Sequence, residues 1–151
     1  MERQDMFEDL DKLIFKVCEE EGYSLDEVFD LPSDNETNVI MAEEELGVVF
    51  PADYRYFLIK YGSGGFGYFD FMGVEGSKEV KSFTVVLLTL KYRSNGLKNN
   101  YVAIEYNGDY ITCIDCDDGK IITWSWLEKD RITCAGNSFE EYFAGKLNDY
   151  L

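Results

Sequence analysis

Cys113-Ile-Asp-Cys116 is the spacing in this chain that most invites a chemical reading, since two thiols three residues apart serve disulfide exchange or zinc binding. A redox pair needs its first thiolate at a helix N-terminus, where the dipole lowers the pKa. Here the pair lies in a segment that reads as a strand and runs into Asp117-Asp118, whose charge pushes a thiol pKa up. Strand residues three apart also point to opposite faces. Zinc would need two further ligands, and only Cys18 and Cys134 remain as thiols. The cysteines are therefore expected to pack, not react. The chain has no histidine, which removes the commonest general base near neutral pH and every Ser-His or Cys-His nucleophile pair. Asp109, Asp115, Asp117 and Asp118 gather around predicted turns, but nothing selects two of them at catalytic separation. The glycine run Ser63-Gly-Gly-Phe-Gly67 has the order helix, glycines, strand, the reverse of a phosphate-binding loop. The expectation is no catalytic residue, no metal and no cofactor.

The remaining chemistry is charge and surface. Net charge is −16, and residues 1–50 hold 16 acids against Arg3, Lys12 and Lys16, a balance of −13. Residues 51–151 hold 14 acids against 11 bases, so most of the excess sits in the first third. Such a field repels nucleic acid and anionic lipid and attracts a basic protein. Glu19-Glu20-Glu21 and Glu43-Glu44-Glu45 read first as solvated helix faces, and second as docking sites for such a partner. Phe66, Tyr68 and Phe69 beside glycines suit either a core or a contact surface rich in aromatics. The acidic N-terminus lacks the basic-then-apolar pattern of a signal peptide, and no run reaches the length of a transmembrane helix. A cytoplasmic location is expected.

These residues need a scaffold, and the periodicity supplies one. Asp5 can cap a first helix with the stripe Met6, Phe7, Leu10, Leu13, Ile14, Val17 and Cys18, ended by Gly22. Ser24-Leu-Asp-Glu27 is a capping box opening a short helix with Leu25, Val28 and Phe29, closed before Pro32. A third helix ends at Gly47, a position suited to left-handed backbone. Val48, Val49 and Phe50 form an apolar bridge, and Pro51 opens a fourth helix with Tyr54, Phe57, Leu58 and Tyr61 on its buried face. Tyr68 to Val74 reads as the first strand. In the stretch from Phe83 to Arg93 the β-branched residues favour a strand, whereas Phe83, Leu87 and Leu90 fit a helical face capped by Ser82. Tyr101–Tyr106, a tight Asn107-Gly108 turn, Tyr110–Cys116, an Asp117-Asp118-Gly119 turn and Lys120–Trp126 form an antiparallel meander. Ser138-Phe-Glu-Glu141 is a second capping box, opening a closing helix. The fold class is α+β: a mainly antiparallel or mixed sheet in a single domain, with N-terminal helices and a C-terminal helix packed on it.

The joint between the third and fourth helices carries a further signal. Glu43, Leu46, Gly47, Phe50, Pro51, Tyr54, Phe57, Leu58, Tyr61, Gly62, Gly64 and Gly65 occur in an order that resembles the SUKH superfamily, which includes yeast cell-wall-assembly regulators and many bacterial toxin-immunity proteins. Gly108, Asp109, Asp115, Ser138, Phe139 and Tyr142 extend the likeness, which runs from about Thr37 to the C-terminus and matches residues 1–35 only loosely. It implies one SUKH-like domain over residues 1–151 and a helical reading of Phe83–Arg93. It also implies a non-enzymatic immunity protein that neutralises a toxin such as a basic nuclease, or else a regulator or scaffold without a toxin. An enzyme using carboxylates or thiols is the remote alternative. The expected partner contacts are Glu43, Glu44, Glu45, Phe66, Tyr68, Asp109, Asp117 and Asp118.

Overall fold

The computed structural model describes residues 3–30, 35–66, 71–74, 84–128 and 131–149. Among the described residues the elements follow in the order α1 (Arg3–Glu21), α2 (Leu25–Val28), β1 (Phe29–Asp30), α3 (Asn35–Leu46), α4 (Ala52–Lys60), β2 (Ser63–Gly64), α5 (Val85–Arg93), β3 (Tyr101–Tyr106), β4 (Ile111–Asp115), β5 (Ile121–Trp124), β6 (Ile132–Gly136) and α6 (Phe139–Asn148). The main sheet is an antiparallel meander in the order β3-β4-β5-β6, and β1 pairs antiparallel with β2 in a small ribbon. The fold is α+β, with helices preceding the meander and α6 closing it.

Strand periodicity divides the core between the two faces of the sheet. Val102, Ile104, Ile114 and Ile121 face α1, α3, α4 and α6, whereas Tyr101, Ala103, Ile111, Cys113, Ile122 and Trp124 pack with Leu88 and Tyr92 of α5. At the centre of the first layer Phe57 meets the rings of Phe29, Tyr61, Phe71, Phe139 and Phe143 at centroid distances of 5.2–5.9 Å. The Phe57 of the sequence motif is thus the hub joining α4 to α6.

Helix ends follow local chemistry with some shifts. Gly47 takes φ 70°, and both its own N–H and that of Val48 donate to the Glu43 carbonyl, at 2.8 and 3.1 Å. Ser138 Oγ accepts from Glu141 N at 3.1 Å and opens α6. Asp5 lies inside α1 rather than before it, since the helix already runs from Arg3. Pro51 is the residue before α4, in extended backbone, instead of its first helical position. Phe29 leaves the second helix for β1, where Gly64 faces it with φ 124°. Any Cβ at Gly64 would fall 2.2 Å from the Val28 carbonyl oxygen, so this ribbon admits only glycine there.

Four readings of the second half need correction or completion. The segment from Phe83 to Arg93 is helical from Val85, and its cap is Thr84, whose Oγ1 accepts from Leu87 N at 3.3 Å. Of the expected strand Tyr68–Val74, residues 68–70 lie outside the described residues; Phe71 forms an isolated bridge to Gly64, and Met72 N donates to the Ile104 carbonyl at 3.0 Å. The β3–β4 turn sits one residue later than Asn107-Gly108: Asn107 N donates to the Tyr110 carbonyl at 3.0 Å, leaving Gly108, at φ 85°, and Asp109 between that pair. Strand β6 has no counterpart in the sequence reading.

Candidate functional site

The α3–α4 joint is where the structure brings expected partner residues together. Gly47 ends α3 and throws Val48 and Val49 outward before Phe50 returns to the core. Val49 is 76% exposed, the most open large hydrophobic residue among those described. An open hollow of about 720 Å³ lies on one side of it, lined by Ile40, Glu43, Glu44, Phe50, Ala52 and Arg55. A second hollow of about 410 Å³ lies on the other side, lined by Asn99, Asn100, Cys116 and Asp117. Gly47, Val48 and Val49 belong to both, so the bridge is a ridge between them.

The residues holding the ridge are identifiable. Glu43 Oε2 accepts from Phe50 N at 2.8 Å, and its Oε1 pairs with Arg55 Nε at 3.4 Å. This carboxylate therefore closes the joint and satisfies a backbone donor that follows the helix. On the inner side Arg93 donates to the Leu46 carbonyl at 2.8 Å and to the Asn99 carbonyl at 2.6 Å, linking the end of α3 to the segment before β3. Gly119 lies against Pro51, where an added Cβ would sit 3.9 Å from the proline side chain, so the β4–β5 turn abuts the same joint. Asp115 fixes that turn by accepting from Asn100 Nδ2 and from Asp117 N, each at 2.9 Å.

The eight expected contacts separate accordingly. Glu43, Glu44 and Asp117 border the two hollows. Asp118 is exposed in the same turn as Asp117 and accepts from Lys120 N at 2.9 Å. Glu45 lines a different hollow of about 310 Å³, with Met41, Val74 and Leu87. Asp109 is exposed at the other end of β4, on the order of 17 Å along the strand from Asp117. Phe66 presents no contact surface: it is 2% exposed and packs edge-on against Phe29 at 5.9 Å. Tyr68 lies outside the described residues. Val49, Ile40, Asn99 and Asn100 are members the sequence reading did not single out. Ile40 lies within α3 and is 42% exposed.

The two thiols of the Cys113–Cys116 pair are held in their neutral form. Burial drives the Cys113 thiol far above its ordinary range, and burial together with Asp115 pushes Cys116 up to about 12. Cys113 packs in the α5 layer and Cys116 against the other layer, so the two sulfurs lie on opposite faces. Among the described residues no group of three or more Cys, Asp or Glu is placed to hold a metal ion. No helix among them is long and apolar enough to cross a membrane.

A family model described as SMI1-KNR4 cell-wall, SUKH_5, matches residues 10–148. The chain belongs to the SMI1-KNR4 family of the SUKH superfamily. The match takes in most of α1, beyond the stretch from Thr37 on which the sequence likeness rests. Among solved structures, this SUKH chain is similar to a protein from Pseudomonas syringae pv. tomato with TM-score 0.59 and 18% identity, over 76% of this chain and 81% of that one. At that identity the likeness concerns the fold. No curated protein matches.

Proposed function

We propose that this SUKH protein is a non-enzymatic, cytoplasmic protein-binding module acting as an immunity protein, and that it neutralises a toxin with a basic surface, such as a nuclease, through the Val49 ridge. The observation that carries the reading is the ridge itself: an apolar side chain, 76% exposed, between hollows bordered by Glu43 and Glu44 on one side and Asp117 on the other. An exposed apolar centre with an acidic rim fits a partner whose lysines or arginines surround an apolar contact. Family membership supports a protein-interaction role. The chain's −16 charge would speed encounter with a cationic target. The upward-shifted thiols of Cys113 and Cys116 argue against catalysis by that pair.

The test is genetic. Deleting the chain from cells that carry an active toxin gene beside it should be lethal, with rescue by the native chain and not by Glu44→Lys/Asp117→Lys. Harmless deletion beside an active toxin overturns the immunity reading and leaves a regulator or scaffold. Full rescue by the double variant instead removes the ridge as the site.

A further inference from the structure

Helices α3 and α5 border the hollow of about 310 Å³, with Met41 and Glu45 on the α3 bank and Leu87 on the α5 bank. Met41 is 60% exposed, and Leu87 and Leu90 are 37% exposed each. Leu87, Leu90 and Lys91 stand at i, i+3 and i+4 and share the outer face of α5, while Val85, Leu88, Thr89 and Tyr92 turn inward. Three exposed apolar side chains thus gather on one surface, and such grouping marks interaction sites where single exposed residues do not. The charges on this surface are ordered along α5. Glu45 stands beside its N-terminal end, whereas Lys91 lies in its last turn and Lys98 beyond it. Among the described residues none of the three forms an ion pair. The lysines lie instead over tyrosine rings, Lys91 at 5.6 Å from the Tyr92 centroid and Lys98 at 5.9 Å from that of Tyr101.

We propose that this face joins a second copy of the chain about a twofold axis near Leu90, with the two α5 helices antiparallel. An isologous contact must be self-complementary, and the order of charges makes this one so. Antiparallel packing sets the N-terminal end of one α5, where Glu45 stands, beside the C-terminal end of the other, which carries Lys91 and Lys98. Each acid then meets the other copy's bases, whereas a parallel pairing would set Lys91 against Lys91. The antiparallel arrangement also opposes the two helix dipoles and lays Met41 and Leu87 against the second copy's Leu90. A net charge of −16 resists self-association in general, yet the stretch from Val80 to Ile104 holds no acid and four bases. The α5 face is therefore where two such chains approach with little repulsion. This inference is independent of the role proposed for the Val49 ridge, which borders the other hollows.

Sedimentation of the full chain over a concentration series tests it. Two short helix faces bury less than a standard interface, so the expected result is a reversible dimer with Kd on the order of 10–100 μM. Leu90→Asp sets two carboxylates face to face at the axis and should raise Kd more than about tenfold, while Val49→Asp, away from this face, leaves it unchanged. Glu45→Lys and Lys91→Glu should each raise Kd about three- to tenfold, since each puts like charges opposite one another. The double variant Glu45→Lys/Lys91→Glu should return Kd toward the native value, and so should an equal mixture of the two single variants, because unlike charges are opposed again. Circular dichroism establishes that each variant is folded, and loss of folding could not produce the restoration. A chain that sediments as a monomer throughout, a dimer that Leu90→Asp does not weaken, or a double variant that binds no tighter than the single ones would overturn the proposal.

Discussion

Helix α4 meets a carboxylate at each end, and the two ends use it differently. At the N-terminal end Glu43 is held by one backbone N–H and by Arg55, and beside it Glu44 and Val49 remain exposed. At the C-terminal end Asp11 of α1 accepts from Tyr56 and Tyr61 at 2.5 Å each and from Lys60 at 2.8 Å, with Lys60 also donating to Tyr56 Oη at 3.1 Å. Burial alone would raise the Asp11 pKa, but these three donors hold it below the ordinary carboxylate range. One end is a closed tie that consumes its acid; the other closes its joint with one glutamate and leaves the neighbouring acid to solvent. An acidic residue in this chain thus speaks of partners only where the surrounding donors are too few to occupy it.

That contrast can be broken from its middle outward. Phe57→Ala removes the ring between the two ends and should destabilise the chain by about 3–5 kcal/mol in denaturant unfolding. Asp11→Asn should cost about 2 kcal/mol, since charge-assisted hydrogen bonds to a partly buried carboxylate are lost together. The sign of its pH dependence follows from a folded pKa below the unfolded value of about 3.9. The contribution is fully present above that value and is lost as pH falls through the folded pKa. Native and Asp11→Asn curves should therefore converge below about pH 4; a constant gap from pH 7 downward through that range would show that Asp11 acts through packing alone. Glu43→Gln should cost about 1 kcal/mol, because the amide still accepts from Phe50 N while the Arg55 pairing weakens. Val49→Asp should change stability by less than about 0.5 kcal/mol, yet it should abolish protection in the toxin rescue assay. Wild-type protection by that variant would separate the ridge from the partner.

The sequence disclosed more of the scaffold than of the surface, for physical reasons. Helix-forming stripes, the Gly47 stop and the Ser24 and Ser138 caps are local signals, and the helices they delimit are present. Phe57 and Tyr54 are legible because apolar residues at helical spacing have few fates other than burial. Strand β6 was not legible: Ile-Thr-Cys-Ala-Gly is short, is buried on neither side, and gains its structure from pairing with β5. Phe66 was ambiguous because an aromatic residue beside glycines can point either way, and only the Phe29 ring decides it. Val49 was hidden for the opposite reason. Between two apolar neighbours it reads as core, and it is the left-handed turn at Gly47 that sets it outside.

Arg93 gives the ridge a property of its own. With one guanidinium holding the Leu46 and Asn99 carbonyls, the banks of both hollows are fastened to one helix. A partner arriving there would meet a surface whose ordering entropy is already met by folding, so less of its contact energy goes into immobilising a loop. Arg93→Met should therefore slow no encounter and remove no contact, but shorten the lifetime of the bound state, visible as a faster off-rate at an unchanged on-rate. The grip of this surface would then reside partly in a residue that no partner touches.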